Sequence, residues 1–166
     1  DYSGSGWNEG SKVVVACRGD KRRELSTELP ATFTLPAGFS GPRFCLPGIL
    51  AVQAPAFEQA KPAREQADQL CRSFENIDLP GIPLILLVDD SRFAAATLNN
   101  WLWVAFTRSN PSHDVYGVQA FTEFKHWGCR GPLVIDARKK PHHAPELIPD
   151  PAVQKRVEEL LSGYKF

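Results

Sequence analysis

Residues 124 to 145, FKHWGCRGPLVIDARKKPHHAP, place five basic side chains (Lys125, Arg130, Arg138, Lys139, Lys140), three histidines (His126, His142, His143) and a single acid, Asp136, around one apolar run, Pro132 to Ile135. Arginine grips a carboxylate or phosphate through two parallel N–H bonds, and histidine adds a donor that titrates near neutrality. The segment therefore suits an anionic ligand, with Arg138, His142, His143, Lys125 and His126 as candidate contacts. Asp136 is expected to orient Arg138 through a charge-assisted hydrogen bond, since its own charge would repel an anion. An ordinary solvated basic loop is the alternative that composition leaves open.

Other chemistries are weighed against this one. His126, Cys129, His142 and His143 are zinc-ligand types, but the adjacent His pair and the spacing between Cys129 and His142 do not match common tetrahedral sites, so no metal site is assigned. A Cys129–His nucleophile pair would need an orienting third group that the sequence does not identify. Asp89-Asp90 puts two carboxylates between a strand and a helix, where one can cap the first turn; adjacent side chains diverge, so no shared-proton dyad follows. Asp89, Asp90, Arg108 and Asp136 are read as orienting residues. The Ser3-Gly4-Ser5-Gly6 cluster follows no strand and lacks the Lys-Ser/Thr of a phosphate loop, and Arg18-Gly19-Asp20 is too short to signify adhesion.

Composition sets the class. With 166 residues, 43% hydrophobic content, and nineteen basic against nineteen acidic residues, the chain can bury a core and has no global field for nucleic acid. No run of 18 apolar residues exists to span a membrane, and the first residues lack a signal-peptide pattern. Four widely spaced cysteines suit reduced thiols, which places the chain in the cytoplasm. The absence of methionine suggests a fragment, a processed product or an incompletely recorded chain.

The elements that must position these residues follow from periodicity. Residues 1–11 read as a flexible linker and 12–166 as one domain. Val13–Cys17 reads as a buried strand, and residues 18–47 as a long Gly/Pro-punctuated excursion with a short helix near Arg22–Glu28. Gly48–Ala54 is a second strand, and Ala63, Ala67, Leu70, Cys71 and Phe74 recur at helical spacing. Pro83–Val88 is the most strand-like stretch. A helical stripe follows over Ala94–Ser109, where Trp101 and Trp103 point about 200° apart, so one of them needs a neighbour beyond the sheet. Asp114–Val118 and Pro132–Ala137 are further strands. Asp150-Pro151 caps a last helix whose Val153, Val157, Leu160 and Leu161 are expected to face inward, with Gly163 ending it. Strands alternating with helices predict an α/β fold: a mainly parallel sheet with helices on both faces, a three-layer sandwich, with ligands beyond the carboxyl ends of the strands.

The runs PLILLVDDSRFAAATLNNWLWVAFTRSNPSHDVYGV and KHWGCRGPLVIDARKKPHHAP resemble the C-terminal part of the UbiD family of reversible decarboxylases. The matching residues are Asp89-Asp90, Leu98-Asn99-Asn100, Trp103, Phe106-Thr107-Arg108, Asp114 and Ile135-Asp136-Ala137, and the resemblance runs from about Gly48 to Gly163. It implies a prenylated FMN cofactor that forms an adduct with an aromatic or unsaturated carboxylic acid and releases carbon dioxide. It also implies that the cofactor, its metal ions and an essential Glu-Arg-Glu network lie mainly outside this chain. The region present would then close the substrate side of the site, with Arg138 in the carboxylate wall, and make contacts within a homo-oligomer or with a missing N-terminal domain. The ARKKPHHAP ending departs from the family's usual one, so substrate contacts are expected to differ. A non-enzymatic assembly or regulatory subunit, or an anion-binding α/β domain of unrelated chemistry, are the alternatives.

Overall fold

The computed structural model describes residues 14–16, 18–144 and 150–162. The proposed linker, Val13, Cys17 and Gly163 lie outside the described residues.

The centre of the fold is a five-stranded sheet in the order β1-β2-β3-β7-β4, built from β1 (Ser40–Leu46), β2 (Ile49–Gln53), β3 (Leu84–Val88), β4 (Val115–Gly117) and β7 (Leu133–Asp136). β2, β3 and β7 are parallel and in step, with Ile49 beside Leu84 and Leu84 beside Leu133. Both edges are antiparallel, β1 to β2 and β4 to β7. The sheet is therefore mixed, which corrects the expectation of a mainly parallel one. The reason is local. Only Pro47 and Gly48 separate β1 from β2, and so short a link can join only antiparallel neighbours. Gly48 takes a left-handed φ of +77°, and a Cβ there would meet Leu25 Cδ2 at 2.8 Å.

Alternation along the central strands builds two apolar layers. Leu50, Val52, Ile85 and Leu87 face α1 (Ala60–Ser73), which contributes Ala67, Leu70 and Cys71. Ala51, Leu86 and Val88 turn to the opposite face, where α2 (Ser91–Ala96) and α3 (Leu98–Thr107) supply Ala94, Val104 and Ala105. The single helix expected over Ala94–Ser109 is broken at Thr97, whose backbone is extended and whose Oγ1 accepts from Asn100 N at 3.1 Å. A side chain that can bond its own backbone favours such a cap over a helix interior.

Three other expectations change. Val14 and Val15 form no strand and are exposed. Residues 22–28 form no helix; Ser26 instead ties the segment to the sheet's lower end, donating to Gly81 O and accepting from Gly48 N, each at 2.8 Å. Helix α4 (Pro151–Leu161) forms, with Asp150 Oδ1 accepting from Ala152 N, but Val153, Val157, Leu160 and Leu161 are exposed instead of facing inward. A hairpin, β5 (Ala120–Glu123) with β6 (His126–Cys129), also escapes the sequence reading. No helix of the described residues is long and apolar enough to cross a membrane.

Candidate functional site

Leaving β7, the chain turns over the carboxyl end of the sheet, where α/β folds usually seat ligands. Asp136 and Arg138 are both 0% exposed here. Arg138 Nε donates to Asp136 Oδ1 at 2.9 Å and Nη2 to Oδ2 at 2.6 Å, the bidentate geometry that arginine makes with a carboxylate. Nη1 donates to Pro55 O at 2.7 Å and to Gln66 Oε1 at 2.5 Å, and Nη2 also donates to Ala63 O at 3.2 Å. A guanidinium carries five N–H donors, and all are engaged. Arg138 thus offers no N–H to a ligand: it joins the end of β7 to α1 and to the segment after β2.

Lys140, two residues further on, is 6% exposed, so it does not form the solvated basic loop that composition left open. Its Nζ lies 3.1 Å from Asp114 Oδ2 and donates to Arg108 O at 2.8 Å and Asp136 O at 3.0 Å. Phe57 lies against both cations, its ring centroid 5.6 Å from Arg138 Cζ and 5.3 Å from Lys140 Nζ. Arg108 Nη1 reaches Asp89 Oδ2 at 3.0 Å, and the same oxygen accepts from Lys139 N at 2.7 Å. Asp90 acts elsewhere, since its Oδ1 accepts from Arg92 N and Phe93 N and so caps α2. The two adjacent carboxylates therefore serve different elements.

The histidines close the segment. Lys140 N donates to His143 Nδ1 at 3.1 Å, and His143 N donates to Lys140 O at 2.9 Å. Burial, then the positive charges of His142, Lys140 and Arg108, hold the His143 imidazole below its ordinary value, while Asp114 opposes them. His142 packs edge-on to it, centroids 4.6 Å apart, and is exposed.

Lys125 and His126 are placed differently. They lie at the tip of the β5–β6 hairpin, whose two-residue turn, Phe124-Lys125, has φ of 49° and 67°. The hairpin's base follows Gly117 and Val118, beside the start of β7, whereas Arg138 leaves from its end. Among the described residues no group of three or more His, Cys, Asp or Glu is gathered that could hold a metal ion. Cys45, Cys71 and Cys129 are free thiols; burial pushes Cys45 up to about 11 and Cys71 up to about 12, and it raises Cys129 too.

Lys140, Asp114, Gln66 and Phe57 are not identifiable as partners of this cluster from sequence reasoning. A signal exists for Lys140 and Asp114, a cation and a carboxylate flanking two strands expected to be neighbours, but pairing them requires the antiparallel register of β4 and β7.

No family model matches the chain. It is 27% identical, over 99% of its length, to a Chlamydia pneumoniae protein named as a subunit of 4-hydroxybenzoate decarboxylase. It is 28% identical, again over 99% of its length, to an uncharacterized protein of Chlamydia trachomatis serovar D. The chain spans 26% of each of these curated relatives. The resemblance to the C-terminal-type domain of the UbiD decarboxylases stands. Among solved structures, vanillic acid decarboxylase of Sedimentibacter hydroxybenzoicus in its open form overlaps 70% of this chain and 27% of its own, at 16% identity and a TM-score of 0.40. That overlap adds nothing to the sequence comparison.

A prenylated FMN does not fit the space beyond the end of β7. Arg138 and Lys140 fill it, and their donors are satisfied by Asp136, Asp114 and backbone carbonyls. No step of a flavin reaction is assigned to the residues of this chain.

Proposed function

We propose that this chain is the C-terminal, substrate-side and oligomerisation domain of a UbiD-like decarboxylase acting on an aromatic or unsaturated carboxylic acid. The observation that carries the reading is the 27% identity, across 99% of the chain, to a protein named as part of a decarboxylase. On this reading, prenylated FMN and the essential carboxylates are held by the remainder of a longer protein, working in the cytoplasm. Arg138 braces the domain from inside, with Asp136, Asp89 and Arg108 orienting the same strand-end cluster. The exposed side chains of His142, Lys125 and His126 are then the remaining basic candidates for facing the substrate carboxylate. The test compares the complete protein with this chain alone, each given prenylated FMN and a panel of aromatic acids. Release of carbon dioxide by the complete protein only is expected; turnover by the isolated chain would overturn the assignment.

A non-enzymatic assembly subunit is the second reading, favoured by the apolar outer surface of α2 and α3. Phe93, Leu98, Leu102, Trp103 and Phe106 are exposed there, and the Trp101 Nε1 is buried with no hydrogen-bond partner among the described residues. Such a surface fits contact with another chain or domain. A coding frame that extends several hundred residues upstream would favour the decarboxylase reading, and one that does not would favour the subunit.

A further inference from the structure

A hollow lies between α1, β4 and the β5–β6 hairpin. It has a volume of about 370 Å³ and is lined by Arg64, Asp68, Val115, Tyr116, Ala120 and Trp127, together with Gly117. Its far wall is the hairpin, held in place by two features. Gln119 Nε2 donates to Glu75 O at 2.7 Å, fastening the hairpin's root just beyond α1. Gly117 lets the hairpin approach β4, since a Cβ there would meet Cys129 Cβ at 2.4 Å and Trp127 Cη2 at 3.3 Å.

The lining groups are complementary in kind. Arg64 and Asp68 are four residues apart on α1, which puts them on one face with Cβ atoms about 5–6 Å apart. Among the described residues, neither side chain has a hydrogen bond or ion pair, and the Tyr116 hydroxyl has no hydrogen bond. Burial raises the Tyr116 pKa, so the hydroxyl remains a donor. One cation, one anion and a phenol therefore face a space with a half-exposed indole on one side. A plain anion would be opposed by Asp68, and a plain cation by Arg64. A small zwitterion satisfies both, its carboxylate on Arg64 and its ammonium on Asp68, while a flat ring stacks on Trp127.

We propose that this hollow is a binding site for a zwitterionic aromatic amino acid, independent of the decarboxylase reading. Calorimetric titration of the protein with L-phenylalanine, phenylalaninamide, N-acetylphenylalanine, alanine and benzoate tests it. Saturable binding of phenylalanine is expected, with the amide, the N-acetyl derivative, alanine and benzoate each at least about tenfold weaker, since each lacks one of the three contacts. Arg64→Ala, Asp68→Asn and Trp127→Ala should each weaken phenylalanine by a similar factor. Trp127→Phe, which keeps a ring, should retain most of the binding and guards against loss through misfolding. Phe124→Ala, at the exposed hairpin tip, should change nothing. No binding at millimolar phenylalanine, binding of benzoate as tight as that of phenylalanine, or full binding by the Arg64 and Asp68 variants would overturn the assignment.

Discussion

Arg138 and Asp136, two residues apart at the end of β7, form a bidentate ion pair of which neither member reaches solvent, with the shorter contact at 2.6 Å. The pair closes the carboxyl end of β7 with the chain's own charges. What resembles a ligand-binding cluster in the sequence is, in the folded chain, a brace between β7, α1 and the segment after β2.

Removing one member of such a pair leaves the other charge buried and uncompensated. Arg138→Ala and Asp136→Asn should therefore each destabilise the fold by about 3–5 kcal/mol. Lys140→Ala, which strands Asp114, should cost a similar amount, about 3–5 kcal/mol. Arg138→Lys should recover little, because one ammonium cannot replace five N–H donors held in a plane. Urea denaturation reads these effects as shifts of the midpoint at constant slope. Midpoints within error of the parent would mean that the cluster contributes to binding and not to stability.

These residues also show where the sequence stops being informative. The basic character of 138–140 is legible at once, but its burial depends on partners far along the chain: Arg138 bonds Pro55 and Ala63, 83 and 75 positions away. Local patterns carry β3 and α1 well, because an unbroken apolar run and a stripe at helical spacing each admit one regular solution. The same applies to the caps at Asp90 and Asp150. β1 is masked by Gly41 and Pro42, which read as loop residues but are tolerated on an edge strand. One antiparallel edge of the mixed sheet follows from that strand, because the Pro47-Gly48 turn makes Ser40–Leu46 antiparallel to β2.

The hairpin is masked for a different reason, which leads to a second prediction. A two-residue hairpin turn needs left-handed conformations at both central positions and usually signals itself with Asn-Gly. Phe124 and Lys125 occupy those positions, and Phe124 is 94% exposed, so little packing compensates the strain. Lys125→Gly should stabilise the protein by about 1 kcal/mol, the lower end of the cost of a non-glycine residue held there. A rise in the urea midpoint checks it; a fall would mean that Lys125 makes contacts worth more than the strain.

Thiol reactivity follows from burial. Cys71, at about 12, and Cys45, at about 11, carry almost no thiolate near neutral pH, and thiolate is the reactive form. In the native protein both should label slowly with iodoacetamide and quickly after denaturation, with the sites read by peptide mass spectrometry. Fast native labelling of Cys71 would show that the α1 face of the core opens readily.

His143 supplies a pH dependence whose sign can be worked out. Its folded pKa lies below the ordinary value, first through burial and then through the positive charges of His142, Lys140 and Arg108, with Asp114 opposing. Between the folded value and the unfolded value of about 6.5, the unfolded chain binds more protons, so stability rises with pH across that window. The contribution is fully present above about pH 6.5 and is lost as the pH falls through the folded pKa. The structural consequence is specific: a protonated Nδ1 can no longer accept from Lys140 N, which removes one of the two hydrogen bonds between Lys140 and His143. Because the ring is partly exposed, solvent screens much of the effect, and the slope should be modest. His143→Gln removes the titration while keeping a side chain that can accept the Lys140 N–H. Urea midpoints measured from about pH 8 to about pH 5 should fall less steeply in this variant than in the parent. Parallel profiles would assign the acid sensitivity to other groups and leave His143 a bystander to the turn it closes.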